Sequence, residues 1–262
     1  MFSWPVFKQA MRSNWKLLLI FTTVLCAYLA MVSAFFTPQM FSEMGNMMQN
    51  MGPMTNLFGA MNSLNSFMAQ AYYGMIAVMF PMVYCIIVGN KLIAMQVDRG
   101  AMAYWLSTPT TRGKITRTNA LYFVLSLLAM YGFVTCFGAT ACAAFQPGEL
   151  DMRNFLWLNL GCFLLMFAIS GICFAASCTF NLSRNSLAFG AGFPLAFLLI
   201  KMVSELSEDL SFFKYLTLNT LFDPEAIVQG SGFFWQFAIL AAVGIVLYLV
   251  GMIIFREKDL PI

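Results

Sequence analysis

The sequence predicts an all-α membrane protein with six transmembrane helices and both termini on the cytoplasmic side. It also predicts an amphipathic elbow helix at the N-terminus and a short cytoplasmic helix between spans two and three. Three observations carry this. Hydrophobic residues make up 61% of the 262 residues and charged residues 10%, with a mean hydropathy of +0.78. A soluble domain carries about 25% charged residues to solvate its surface. Six apolar runs reach or approach the ~20 residues that cross a hydrocarbon core as a helix. The basic residues then collect on one side of those runs.

Within the first sixteen residues, Lys8, Arg12 and Lys16 recur every four positions and share one helix face. Phe7, Ala10 and Met11 lie on an apolar side, with Trp4 and Trp15 as interface anchors. This periodicity predicts a helix lying on the inner leaflet. The spans follow as Leu17–Phe36, Ala69–Asn90, Ala120–Phe145, Phe155–Phe180, Ser186–Ser204 and Phe233–Phe255. The fifth is the weakest, since it holds Gly190, Gly192 and Pro194 and meets Lys201 near its end. The first run is too long for a signal h-region and no small-residue cleavage site follows, so it reads as a retained anchor.

With the N-terminus inside, the inner segments hold 11 of the 14 basic residues, and the outer ones only Arg153, Lys201 and Lys214. Acids run the other way, with only Asp98, Glu257 and Asp259 inside. Apart from Lys201, no Asp, Glu, Lys or Arg lies within a predicted span. Ion-coupled carriers place such groups at mid-membrane, so the energy for any uphill transport is expected from another chain. No Walker A pattern occurs. Histidine is absent, and no nucleophile–base pair or metal cluster is visible, so neither a catalytic residue nor a metal site is expected. The seven cysteines lie in apolar runs without a CxxC pair and read as small packing residues.

The inner loop from Lys91 to Asn119 carries five basic residues and one acid. Asp98 is placed to cap a short helix. Tyr104, Trp105 and Leu106 give it an apolar surface, and Ser107-Thr108-Pro109 stops it. Arg112, Lys114 and Arg117 then open span three. Taken alone, this is either an interfacial helix or a docking element. The series Asp98, Gly100, Leu106, Ser107, Pro109 and Arg112 resembles the corresponding loop of ABC-2 type transporter permeases. Ala101 departs from it, standing where that family often has threonine. The run from Phe213 to Pro224 resembles the outer segment before that family's last span. Phe255-Arg256-Glu257-Lys258-Asp259-Leu260 resembles its tail, and the first sixteen residues resemble its elbow helix.

The resemblance covers nearly the whole chain and implies one ABC-2 type transmembrane domain over residues 1–262. It implies a coupling helix resting on a separate nucleotide-binding subunit, with Asp98, Arg99, Gly100, Tyr104, Trp105, Leu106, Ser107, Pro109 and Arg112 as docking residues. ATP and Mg would sit on that partner, with no cofactor in this chain. It also implies pairing with a second copy or a homologous permease through spans one and five; close packing there needs small residues, and span five offers Gly190, Ala191 and Gly192 as the candidate seam. The expected setting is a bacterial plasma membrane, multi-pass, among lipid and without a nucleic-acid partner.

The outer loops bear on cargo. Met40, Met44, Met47, Met48 and Met51 stack on one helical face in a loop with a single charge, Glu43. Three readings stand: Cu(I) ligation by thioethers, a face packed on the bundle, or an adaptable surface near the exit. Without His or paired Cys nearby, packing or cargo contact is expected over metal. The acid-rich segment Lys201–Gly232 predicts short helices over the outer mouth. Gln70, Tyr72, Tyr73 and Asn159 are polar accents in a chain rich in Phe and Met, and the first three are candidate cavity lining. Such a chamber fits amphipathic or hydrophobic cargo such as toxin or antimicrobial peptides. Export of drugs, lipids or glycan precursors, a copper-related role, and a non-pumping immunity or scaffold protein are the alternatives.

Overall fold

The computed structural model describes residues 2–35, 64–106, 110–148, 150–206, 217–230 and 232–258. The described residues are helical, with no strand among them. Among the described residues, six helices are long and apolar enough to cross a membrane. They are α1 (Trp4–Phe35), α3 (Ile76–Leu92) with the short pieces on either side of it from Leu64 to Asp98, α6 (Arg112–Phe145), α7 (Met152–Thr179), α8 (Ser183–Leu206) and α10 (Phe234–Glu257). Shorter helices are α2 (Leu64–Met68), α4 (Ala94–Asp98), α5 (Ala101–Leu106) and α9 (Pro224–Val228).

Most of the helices outrun the predicted spans. Charge stops a hydropathy window, but it does not stop a helix, because Lys and Arg are good helix formers. α1 thus runs unbroken from Trp4 through 32 residues, and α6 gains Arg112 to Asn119 before its apolar part. At about 1.5 Å per residue α1 is ~48 Å long, well beyond a ~30 Å hydrocarbon core. The elbow and first span are therefore one helix. Lys8, Arg12 and Lys16 are exposed along it, and Val6, Ala10 and Asn14 are buried.

Span two is the irregular one. Ahead of α3 lies a π-helical turn, Ala69–Tyr73, which leads into it through Gly74 and Met75. Such turns carry one extra residue and are concentrated at functional positions. This one buries the rings of Tyr72 and Tyr73, which meet edge to face at 4.8 Å.

α7 is the hub of the bundle and packs against α3, α6, α8 and α10, while α1 packs on α6 and α3. Close approach is made where side chains vanish. A Cβ on Gly89 of α3 would lie 2.7 Å from the Cβ of Cys173, and one on Gly161 would meet Phe237 at 2.7 Å. Six of the seven cysteines are buried and all are unpaired. Outside α7, Asp223 caps α9 by accepting from the N–H groups of Glu225 and Ala226. Phe222 and Ile227 are buried, so this part of the acid-rich segment folds onto the bundle as short helices. Both ends of the described chain lie beside the start of α6. The Ser3 N–H donates to Thr118 Oγ1 at 3.2 Å, and Arg112 Nη1 donates to the Lys258 carbonyl at 2.7 Å.

Candidate functional site

The loop that resembles a coupling element is built as two short helices joined at Gly100. α4 ends at Asp98, the chain turns through Arg99 and Gly100, and α5 starts at Ala101. Gly100 has φ +71° with open space around it. That left-handed geometry is strained for any residue bearing a Cβ, which explains a glycine two residues after the acid. Ser107 and Pro109 lie outside the described residues. So do Met40, Met44, Met47 and Met51, and the side chains of Trp105 and Leu106 are not described.

Four hydrogen bonds tie the root of this loop to the spans. Asn119 Nδ2 of α6 donates to the Leu92 carbonyl at 3.0 Å. The Ala94 N–H donates to Ser177 Oγ of α7 at 2.8 Å. Asn90 Nδ2 donates to Ser183 Oγ of α8 at 2.7 Å. The Ser183 N–H donates to Asp98 Oδ2 at 3.3 Å. Asp98 therefore caps α8, 85 residues away in the chain, where the sequence pattern assigned it to its own short helix. A helix N-terminus leaves four N–H groups without partners, and a carboxylate satisfies one while complementing the helix dipole. The loop is thus a bracket that holds spans two, three, four and five together at the basic end of the bundle.

Its outward surface carries Asp98, Arg99, Gly100 and Tyr104, the last 75% exposed, while Met102 is buried. Arg112 is turned to the tail through the Lys258 carbonyl. Lys258 in turn donates from Nζ to the Cys178 carbonyl at 3.1 Å, and burial lowers its pKa from the ordinary lysine value. Between the bracket and the start of α1 lies a cavity of about 30 Å³, bordered by Gln9, Asn14, Lys91, Gln96 and Asn119. It has room for about one water. Asn14 Oδ1, buried without a protein partner, is a suitable acceptor for one. Sequence reasoning missed Asn90, Asn119, Ser177 and Ser183. The signal was there: each is a small polar residue at the basic end of an apolar run.

The remaining candidates are placed as follows. Tyr72 and Tyr73 are each 1% exposed, inside the bundle of this one chain. Gln70 Nε2 donates to Glu225 Oε1 at 2.8 Å, joining span two to α9. In α8, Gly190 is buried against Cys173 and Ala176 of α7, and its carbonyl accepts from Cys173 Sγ at 3.2 Å. Ala191 is half-buried and Gly192 is exposed. Of the three small residues, Gly192 alone faces fully outward, beside exposed Phe189, Phe193 and Leu195.

Against known proteins, the profile of the family described as ABC-2 family transporter protein matches residues 4–260 of this chain. No curated protein matches it.

Proposed function

The chain belongs to the ABC-2 family of transporter proteins, and from that premise we propose that it is the permease subunit of an ATP-driven exporter. Membership makes it a multi-pass membrane subunit of an ABC transporter and implies association with an ABC ATPase subunit. The observation that carries the finer reading is the bracket. It offers an exposed Asp98, Arg99 and Tyr104 to a partner while gripping four spans from behind. ATP and Mg are held by the partner. Its closure pushes on α4 and α5, and the Asp98–Ser183 link passes that push to the start of α8. Two such chains pair to complete the pathway, with the outward face of α8 around Gly192 at the seam. The cargo is amphipathic or hydrophobic, such as a toxin or antimicrobial peptide, in keeping with the abundance of Phe and Met. The cell membrane is the bacterial plasma membrane, with both termini inside.

The test is co-purification followed by transport. The ATPase subunit should copurify with the wild-type chain, and its activity in vesicles should be stimulated by members of a panel of peptides, drugs and lipids. Trp105→Asp or Leu106→Asp should release the ATPase or uncouple it without unfolding the bundle. If no ATPase accompanies the folded protein, the reading fails and a non-pumping membrane protein takes its place.

A further inference from the structure

At the basic end, the first turns of α6 and the last turn of α10 enclose an open cleft of about 470 Å³. Its lining is Thr111, Arg112, Gly113, Lys114, Arg117 and Arg256. Four of these six carry positive charge, and no carboxylate is among them. Arg112 is anchored on the Lys258 carbonyl, so the tail holds one wall in place. The Lys258 ammonium is engaged by the Cys178 carbonyl and is not part of the lining.

Two apolar tracks lead into the cleft. On α6, exposed Leu121, Leu125 and Leu128 follow Arg117 at helical spacing on one face. On α10, exposed Val246, Leu249 and Ile253 run down to exposed Arg256 in the same way. The two helices pack against each other, and each track ends on a cation of the same cleft, Arg117 for one and Arg256 for the other. Depth fits as well. Trp235 is 79% exposed at the other end of α10, where an interface anchor belongs. The 21 residues from it to Arg256 rise about 32 Å, the thickness of a hydrocarbon core, which sets Arg256 at the opposite headgroup level.

We infer that this cleft binds the headgroup of an anionic phospholipid of the inner leaflet, with its acyl chains along the α6 and α10 tracks. A phosphate between guanidinium and ammonium groups forms charge-assisted hydrogen bonds, and arginine matches its geometry with paired donors. Surface attraction alone would not require a concave site. A soluble anion would not require apolar tracks that end on its cations. The inference rests on the membrane placement of α6 and α10 and is independent of the cargo; of the docking residues that the family resemblance implies, the cleft shares Arg112 alone.

Native mass spectrometry of the purified protein, released from vesicles of equal phosphatidylcholine and phosphatidylglycerol, tests it. The wild type should retain phosphatidylglycerol and lose phosphatidylcholine. Arg117→Gln with Arg256→Gln should weaken retention about thirty-fold, from the usual contribution of a basic residue at an anionic surface. Arg117→Lys with Arg256→Lys should restore most of it. Lys8→Gln with Arg12→Gln removes the same charge elsewhere and should leave it unchanged. Equal retention of both lipids overturns the inference, as does an elbow pair as damaging as the cleft pair. Two further arms use only the wild type and so do not depend on any variant folding. Millimolar inorganic phosphate should fail to displace the lipid, and displacement would assign the cleft to a free anion instead. Short-chain phosphatidylglycerol should bind more tightly than glycerol phosphate, and equal binding would remove the role of the apolar tracks.

Discussion

The most apolar stretch of α7 is 67% buried and that of α8 is 17% buried, although both are long and apolar enough to cross a bilayer. Their first turns differ in the same sense. Asp151 caps α7 from the adjoining residue, with its carboxylate accepting from the Arg153 N–H at 3.0 Å. α8 borrows its cap from Asp98 in the bracket. Span four is therefore self-sufficient and immobilised by its neighbours. Span five presents an apolar flank and takes its starting position from the loop that the ATPase is proposed to touch.

The comparison breaks most sharply at glycine. Gly89→Ala places a Cβ 2.7 Å from the Cys173 Cβ of α7, with the Cys173 carbonyl carbon at 3.3 Å, so α3 must shift off the hub. A loss of about 1–3 kcal/mol is expected, as for other overpacked cores. Gly192→Ala on α8 meets nothing within 4 Å and should not destabilise the single chain, since alanine is the better helix former. Thermal unfolding of both variants in detergent checks the pair. Equal losses would remove the distinction between a gripped and a free helix.

Next in size are the caps. Asp98→Ala should cost about 0.5–2 kcal/mol, the range for losing an N-cap. Hydrogen exchange should accelerate both at the first turn of α8 and in α4, because one bond joins them. Asp151→Ala should accelerate only the start of α7. If Asp98→Ala leaves the α8 amides as protected as in the wild type, the bracket does not set span five.

A smaller effect is expected within the hub. Tyr248 of α10 and Ser170 of α7 share a hydrogen bond of 2.8 Å. Ser170 Oγ also donates to the Phe167 carbonyl, so Tyr248→Phe leaves it a partner. About 0.6 kcal/mol is expected, the average for hydrogen bonds between membrane helices, from a denaturant titration of wild type against variant.

The smallest effect is electrostatic, at the tail. Burial holds the Lys258 pKa below its ordinary value of 10.5, so the unfolded chain binds this proton more readily than the folded one. Stability from this group is lowest where Lys258 is protonated in both states, and it rises with pH between the lowered value and 10.5. Thermal midpoints of wild type relative to Lys258→Met should therefore improve for the wild type on moving up through that window. A trend in the opposite direction would mean that the carbonyl contact, not burial, governs the ammonium.

Much of this was legible in advance. The six spans follow from run length, and the family from the series Asp98, Gly100, Leu106, Ser107, Pro109 and Arg112, because both are written in consecutive residues. Gly100 belonged to that series, while its left-handed backbone angle came from the structure. The helix ends were less legible, since Arg112–Asn119 and Trp4–Lys16 continue helices whose apolar pattern has stopped. The partner of Asp98 was hidden, because a short acidic residue before a helix is a plausible cap for that helix, and only the fold brings Ser183 to it.

The sequence by itself determined that this chain crosses a bilayer six times, because burying backbone in hydrocarbon demands uninterrupted apolar helices of fixed length. Tertiary structure alone decided which of those helices forms the core, where Gly190 and Gly192 point, and which cations share one cleft. Lipid tails are as apolar as leucine, so hydropathy marks depth in the membrane and carries almost no record of which helix face meets protein and which meets lipid.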